Sequence, residues 1–221
     1  MKKWLIGWAF LVLFGLGINV YAKSTYINPI DYNNLRETAA DCYVIKGFCY
    51  SAENEENSLA LFGAEPDDIV AKVQAKGNCR GIYMGSLVDI QVLEVYQGDR
   101  SFQGKEATLI TGAHVLVDIN GRQVNSKVNF MEEGRDYLIS MKHREMPKSF
   151  GKKLYFTTAY NYNYVSWFLL GDKPDMVPAK LESSNYCRYR EVSDNEVLAM
   201  NQADIDSFHQ LKKILIEKFT T

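Results

Sequence analysis

The chain has 221 residues, with 25 Lys and Arg against 27 Asp and Glu, three histidines and a net charge of −2. That balance, without a basic run, argues against binding to nucleic-acid backbones, which need clustered Lys and Arg. The length suits one sizeable domain, able to bury about 70% of its unfolded surface and so to fold without depending on disulfides.

The first 22 residues carry a targeting pattern. Met1-Lys2-Lys3 is a short cationic start, and residues 4–16 run without a charge. Val20 and Ala22 then place modest side chains at positions −3 and −1, which predicts a signal peptide over 1–22 cleaved after Ala22. The apolar core at 4–20 is 17 residues long, at the lower limit of a span of about 17–25, and glycines and Asn19 weaken its end. No cysteine follows the cleavage point, which disfavours a lipid anchor, and the later apolar run at 164–170 is only seven residues. The expected product is a secreted or periplasmic chain of 199 residues with no stable membrane span.

Export decides how Cys42, Cys49, Cys79 and Cys187 read. An even count in an oxidising compartment favours two disulfides over free thiols. If 42–49 is one extended strand, its two cysteines lie roughly 23 Å apart, beyond the reach of about 7 Å that a disulfide allows. Two pairings remain: Cys49–Cys79 with Cys42–Cys187, or Cys42–Cys79 with Cys49–Cys187. No C-x-x-C or H-x-x-x-H spacing supports a zinc site, and no cofactor is expected.

Residues 23–39 are polar and read as an N-terminal arm. Residues 41–50 are rich in aromatic and β-branched types and predict a strand, whereas the acidic stretch from Glu53 to Asn57 predicts a solvated loop. Glu65-Pro66-Asp67-Asp68 has the proline and acids of a helix start. With Ile69, Val70 and Val73 as its buried stripe and Gly77 as its stop, it predicts a short helix inside an insertion at 51–85. The period then changes to two. Ile90 and Val92 alternate with Gln91 and Leu93 in a strand over 81–96, followed by strands at 105–111 and 114–119. Asn120-Gly121 is a hairpin signal returning into 124–130, and strands follow at 137–141, 154–160 and 164–170. The 13% aromatic content, with 14 tyrosines, suits half-buried pleated surfaces. At the C-terminus, Ser193-Asp194-Asn195-Glu196 has capping-box spacing. Ile205, Phe208, Leu211, Leu215 and Phe219 recur at steps of three and four, which predicts an amphipathic helix over 204–219 that packs on a sheet.

No catalytic residue can be assigned. G-x-S-x-G, H-E-x-x-H and a glycine-rich phosphate loop are all missing from the sequence. His114, His143 and His209 each read as surface histidines, and Glu132-Glu133 and Asp67-Asp68 as turn and helix-start acids. Tyr160, Tyr162, Tyr164 and Trp167, within a longer aromatic run, form a candidate ligand surface for protein or carbohydrate, although strand alternation explains most of that run.

Four segments together resemble the netrin-like, TIMP-like OB-fold proteins. Ala40-Asp41-Cys42-Tyr43-Val44-Ile45-Lys46-Gly47 is similar to the family's first strand, and residues 89–98, ending in Val95-Tyr96-Gln97-Gly98, to its second. Ala107-Thr108-Leu109-Ile110-Thr111 resembles the third strand. Phe130 to Ile139, with Gly134, Tyr137 and Leu138, resembles the F-x-x-G-x-x-Y-L-V signature of the fourth. The resemblance covers about 40–160 and implies a mainly β (α+β) fold. That fold is a five-stranded OB-type barrel at 40–170 with the 51–85 helical insertion, followed by an extension at 171–221 whose helix packs on the barrel. Inhibitors of this family chelate a protease zinc through an N-terminal cysteine. Here the mature end would be Lys23-Ser24, with Cys42 lying 19 residues beyond Lys23, so that mechanism does not carry over. Fold alone transfers no activity. OB barrels bind through an open face and adjoining loops, which directs attention to the 112–126 hairpin and the 142–153 loop. The expectation is a non-catalytic binding protein, an inhibitor or envelope accessory factor acting on a protein partner. The alternatives are an envelope hydrolase with an unrecognised site and a carbohydrate-binding module.

Overall fold

Strand alternation closes the centre of the chain into a barrel. A computed structural model describes residues 33–82, 85–118, 121–147, 153–158, 165–173, 175–178 and 186–221, all within the unit Asp31–Thr221. Ala22 and most of the arm, together with Tyr160, Tyr162 and Tyr164, lie outside the described residues. In chain order the elements are α1 (Leu35–Ala39), β1 (Tyr43–Ile45), α2 (Glu55–Leu61), β2 (Ile69–Ala75), β3 (Arg80–Ile82), β4 (Gly85–Gln97) and β5 (Glu106–Thr111). They continue with β6 (His114–Asp118), β7 (Gly121–Asn125), β8 (Asp136–Arg144), β9 (Tyr155–Thr158), β10 (Trp167–Leu169), β11 (Tyr186–Arg188) and α3 (Gln202–Thr220).

Five of these strands pair in a ring: β2 with β4, β4 with β5, β5 with β9, β9 with β8, and β8 back to β2. The β5–β9 joint is parallel and the other four are antiparallel. Opposed residues share a face. The pairs Val73–Val92, Ala71–Ile139, Ile90–Ala107, Val88–Leu109 and Leu109–Phe156 therefore fill one continuous interior, and all of these side chains are buried. Two register shifts between β2 and β4 bend the long β4 around the barrel. Phe102, on a 3-10 turn at Arg100–Phe102, closes one end edge-on to Phe156 at 5.1 Å.

β2 corrects the sequence reading. Residues 69–75 were expected in a helix, but they form the barrel strand that opens the ring. Ile69, Ala71, Val73 and Ala75 face inward in steps of two, while Lys72 and Gln74 remain half-buried. A stretch this short fits both periods, and pairing on both sides with β4 and β8 selects the strand. The 51–85 stretch is consequently not a wholly helical insertion. Its helix, α2, falls at Glu55–Leu61, overlapping a segment expected to be loop. Residues 43–45, expected to begin the barrel, instead form β1 of a separate four-stranded sheet ordered β11-β1-β7-β6. Within it Val44 lies opposite Cys187 on one side and Val124 on the other.

α3 packs against α2, against β4 and, through Phe208, against Phe168 of β10. Its Phe208 contacts Tyr50 at 5.5 Å and Phe168 at 5.4 Å, and Phe168 contacts Phe62 at 5.6 Å. Phe62 in turn meets Phe219 at 5.8 Å. Gly63 has φ +68°, and a Cβ there would come within 2.6 Å of Val70 Cγ2, so the chain passes close over β2 only without a side chain. The helix begins after Asn201, whose Oδ1 accepts from Asp204 N at 2.9 Å. The capping box expected at 193–196 is not a helix start, because Glu196 is spent elsewhere. Among the described residues no helix is long and apolar enough to cross a membrane.

The cysteines also depart from expectation. Cys42, Cys49, Cys79 and Cys187 are all buried, and no disulfide joins them. Three thiols have local acceptors instead: Cys42 reaches Thr38 O at 3.5 Å, Cys49 reaches Ile45 O at 3.3 Å, and Cys79 reaches Ser86 Oγ at 3.8 Å. Burial pushes Cys42 and Cys79 up to about 11, and Cys49 and Cys187 up to about 12. Protonated thiols in this setting pack as small apolar side chains.

Candidate functional site at the C-terminal helix

The three histidines end in three different settings. His143 is exposed at the end of β8, where its ring packs 5.2 Å from Phe102 and 5.9 Å from Phe156. His114 was expected at the surface but is 2% exposed, because β6 lies against α1, β3 and β4. Its Nδ1 is 2.6 Å from Gly112 O, and its buried Nε2 has no partner among the described residues. His209 is the unexpected one. Its side chain is 39% exposed, yet its Nε2 lies 2.9 Å from Asp175 Oδ2, on a carboxylate that is 0% exposed.

The period of α3 creates this arrangement. Phe208, Leu211 and Leu215 point into the core, and His209 and Lys212, three residues apart, share the flank beside them. That flank meets Gly171, Asp175 and Glu196. Asp175 Oδ1 accepts from the backbone N–H groups of Glu196 and Val197. Glu196 Oε1 accepts from Leu169 N at 2.8 Å, and Oε2 takes the Lys212 ammonium at 2.7 Å. Lys212 Nζ also donates to Gly171 O at 2.9 Å. Asn195 brackets Met176, accepting from its N–H at 3.1 Å and donating to its carbonyl at 2.7 Å.

A second polar hub holds the loop that carries Asn195 and Glu196. Asn129 is 5% exposed, and its Nδ2 donates to the carbonyls of Val192 at 3.3 Å, Ser193 at 2.9 Å and Asn195 at 2.9 Å. Its Oδ1 accepts from Phe130 N and from the Tyr189 hydroxyl. Arg36 and Lys173 both close on Glu132 nearby. Trp167, expected on a ligand surface, is buried here, with Nε1 donating to Asn129 O at 3.4 Å, so its ring offers no exposed platform.

The electrostatics follow from burial and pairing. Pairing with Asp175 holds the His209 pKa above its ordinary 6.5, against a smaller opposing effect of burial. Burial raises Glu196 above the ordinary carboxylate value, with Lys212 pulling the other way. Perturbed groups that converge in this way mark functional sites as well as structural ion-pair networks. Chemically, an imidazole oriented by a buried carboxylate can hold and release a proton. Among the described residues no serine, threonine or cysteine side chain pairs with it to serve as a nucleophile, and no group of His, Cys, Asp and Glu is placed to hold a metal ion.

Little of this was legible beforehand. His209 and Lys212 at helical spacing carried a signal, but Asp175 and Glu196 sit in irregular segments with no period to expose their direction. No protein-family model matches the chain, nor does any curated protein or solved structure.

Proposed function

We propose that the protein is a non-catalytic binding protein of an extracytoplasmic compartment, exported by a leader cleaved after Ala22, and that its barrel is of the OB type. The strand order supports the fold reading. The ring β2-β4-β5-β9-β8 closes with a single parallel joint between its third and fifth members in chain order, the arrangement an OB barrel requires. The segments at 89–98, 107–111 and 130–139 that resemble netrin-like strands contain or overlap β4, β5 and β8, in that order. The first motif, at 40–47, falls outside the ring, so a TIMP-like identity rests on three segments.

One observation carries the functional reading: the barrel interior is filled with aliphatic and aromatic side chains, from Val73 and Val92 to Leu109 and Phe156. A packed barrel leaves recognition to its outer surface and loops. The end of β8, with exposed His143 and Arg144 beside the Phe102 plug, is the surface favoured for a protein partner. A second reading, an envelope hydrolase, draws support from the Asp175–His209 pair, which has the base and its orienting carboxylate but no paired nucleophile among the described residues.

Crosslinking of the intact protein in its native envelope, with mass spectrometry of the captured chains, tests this reading. The expected result is one dominant protein partner whose capture falls at least tenfold in a His143→Glu, Arg144→Glu double variant. Capture of nothing, together with turnover of an envelope substrate that is lost in His209→Gln, overturns it in favour of the hydrolase.

A further inference from the structure

Residues 175–178 form a short strap with two kinds of fastening. Asn195 holds Met176 through two amide hydrogen bonds, at 3.1 and 2.7 Å, which do not titrate near neutrality. Asp175 is the other fastening, and its carboxylate is wholly withdrawn from water. Oδ1 is satisfied by the N–H groups of Glu196 and Val197. Oδ2 accepts no well-aligned hydrogen bond among the described residues, and the His209 Nε2 stands 2.9 Å away as its ion-pair partner.

A buried carboxylate is costly unless its charge is compensated. Here the compensating cation exists only when His209 is protonated. The other titratable groups facing the ring are Glu196, which reinforces the protonated form, and Lys212, which opposes it. Lys212 is itself committed to Glu196 and Gly171, at 2.7 and 2.9 Å, so it does not replace His209 on Asp175. The strap carries Met176, 60% exposed, and Val177, 39% exposed, directly after Asp175.

We infer that Asp175 and His209 form a pH-sensitive clasp, which holds Asp175 against α3 while the imidazole is charged and releases it when it is neutral, Met176 staying fastened to Asn195 throughout. Pairing with Asp175 raises the His209 pKa above 6.5, so the clasp is closed in mild acid and opens as pH rises through that raised value. The device concerns the strap alone and is independent of the binding reading above.

Site-resolved hydrogen exchange on the full chain tests it, comparing protection factors at about pH 5.5 and about pH 8.5, on either side of the histidine range. Protection at the amides of Glu196 and Val197, which donate to Asp175, is expected to be several-fold higher in acid. Amides of β2 serve as the internal reference and keep the same protection at both values. His209→Gln is expected to hold the two amides at the alkaline level throughout, and His209→Lys, a permanent cation, at the acid level throughout. Equal wild-type protection at both values overturns the clasp, and so does a wild-type pH profile in either variant.

Discussion

Lys212 places its ammonium 2.7 Å from Glu196 Oε2, with side-chain exposures of only 11% and 5%. The pair ties the middle of α3 to the irregular segment that follows β11, and Leu169 N on the second carboxylate oxygen ties both to the edge strand β10.

Breaking that pair from one side strands a buried charge. Lys212→Met is expected to cost about 3–5 kcal/mol in denaturant unfolding. The penalty shrinks in acid, because burial already raises Glu196 above the usual carboxylate value and its protonation removes the stranded charge. A double variant, Lys212→Met with Glu196→Gln, recovers most of the loss. Equal penalties for the single and double variants would show that the charge is not the cause.

His209 contributes stability with the opposite sense to a salt-bridged carboxylate. Its pKa is raised on folding, so its contribution is complete below about 6.5, the unfolded value, and is lost as pH climbs through the folded one. With the side chain 39% exposed, solvent screening holds the effect to about 1 kcal/mol or less. Unfolding curves from mild acid to mild alkali are expected to show this decline in the wild type and to lack it in His209→Gln.

Asn129 spends its amide on three carbonyls and accepts from Phe130 N and the Tyr189 hydroxyl. Truncation leaves several of these buried groups unpaired, at about 1–3 kcal/mol each. Asn129→Ala is expected to lose at least about 3 kcal/mol by chemical denaturation, and Asn129→Asp to lose stability as well, since a carboxylate cannot donate to the three carbonyls.

The four buried thiols make a direct prediction about redox chemistry. The melting temperature is expected to be the same with and without reductant. Alkylation of unreduced, denatured protein is expected to add four groups by mass spectrometry. In the native state labelling is slow, because burial keeps each thiol protonated. A mass lower by the hydrogens of a disulfide would contradict the structure.

Local period was readable along most of the chain. Ile90 and Val92 against Gln91 and Leu93 announced β4, and Phe208, Leu211 and Leu215 announced α3, because burial of one face writes itself into neighbouring positions. β2 was misread because Ile69, Val70 and Val73 satisfy a helical stripe as well as an alternation, and Pro66 with Asp67 and Asp68 imitates a helix start. What resolved it was hydrogen bonding on both sides, to strands reached only through later sequence.

The site follows the same logic. Residue order alone determined a β-rich centre and a C-terminal helix with one apolar face, and it read His209 only as a surface histidine. Tertiary structure decided that Asp175 and Glu196, carried on segments without a repeat, meet His209 and Lys212 on the flank of that helix, and that the four cysteines stay apart as packed thiols. Burial periodicity acts between near neighbours and leaves a pattern in the chain. The partner of a charge is chosen by where folding brings a distant segment, and no local pattern records it.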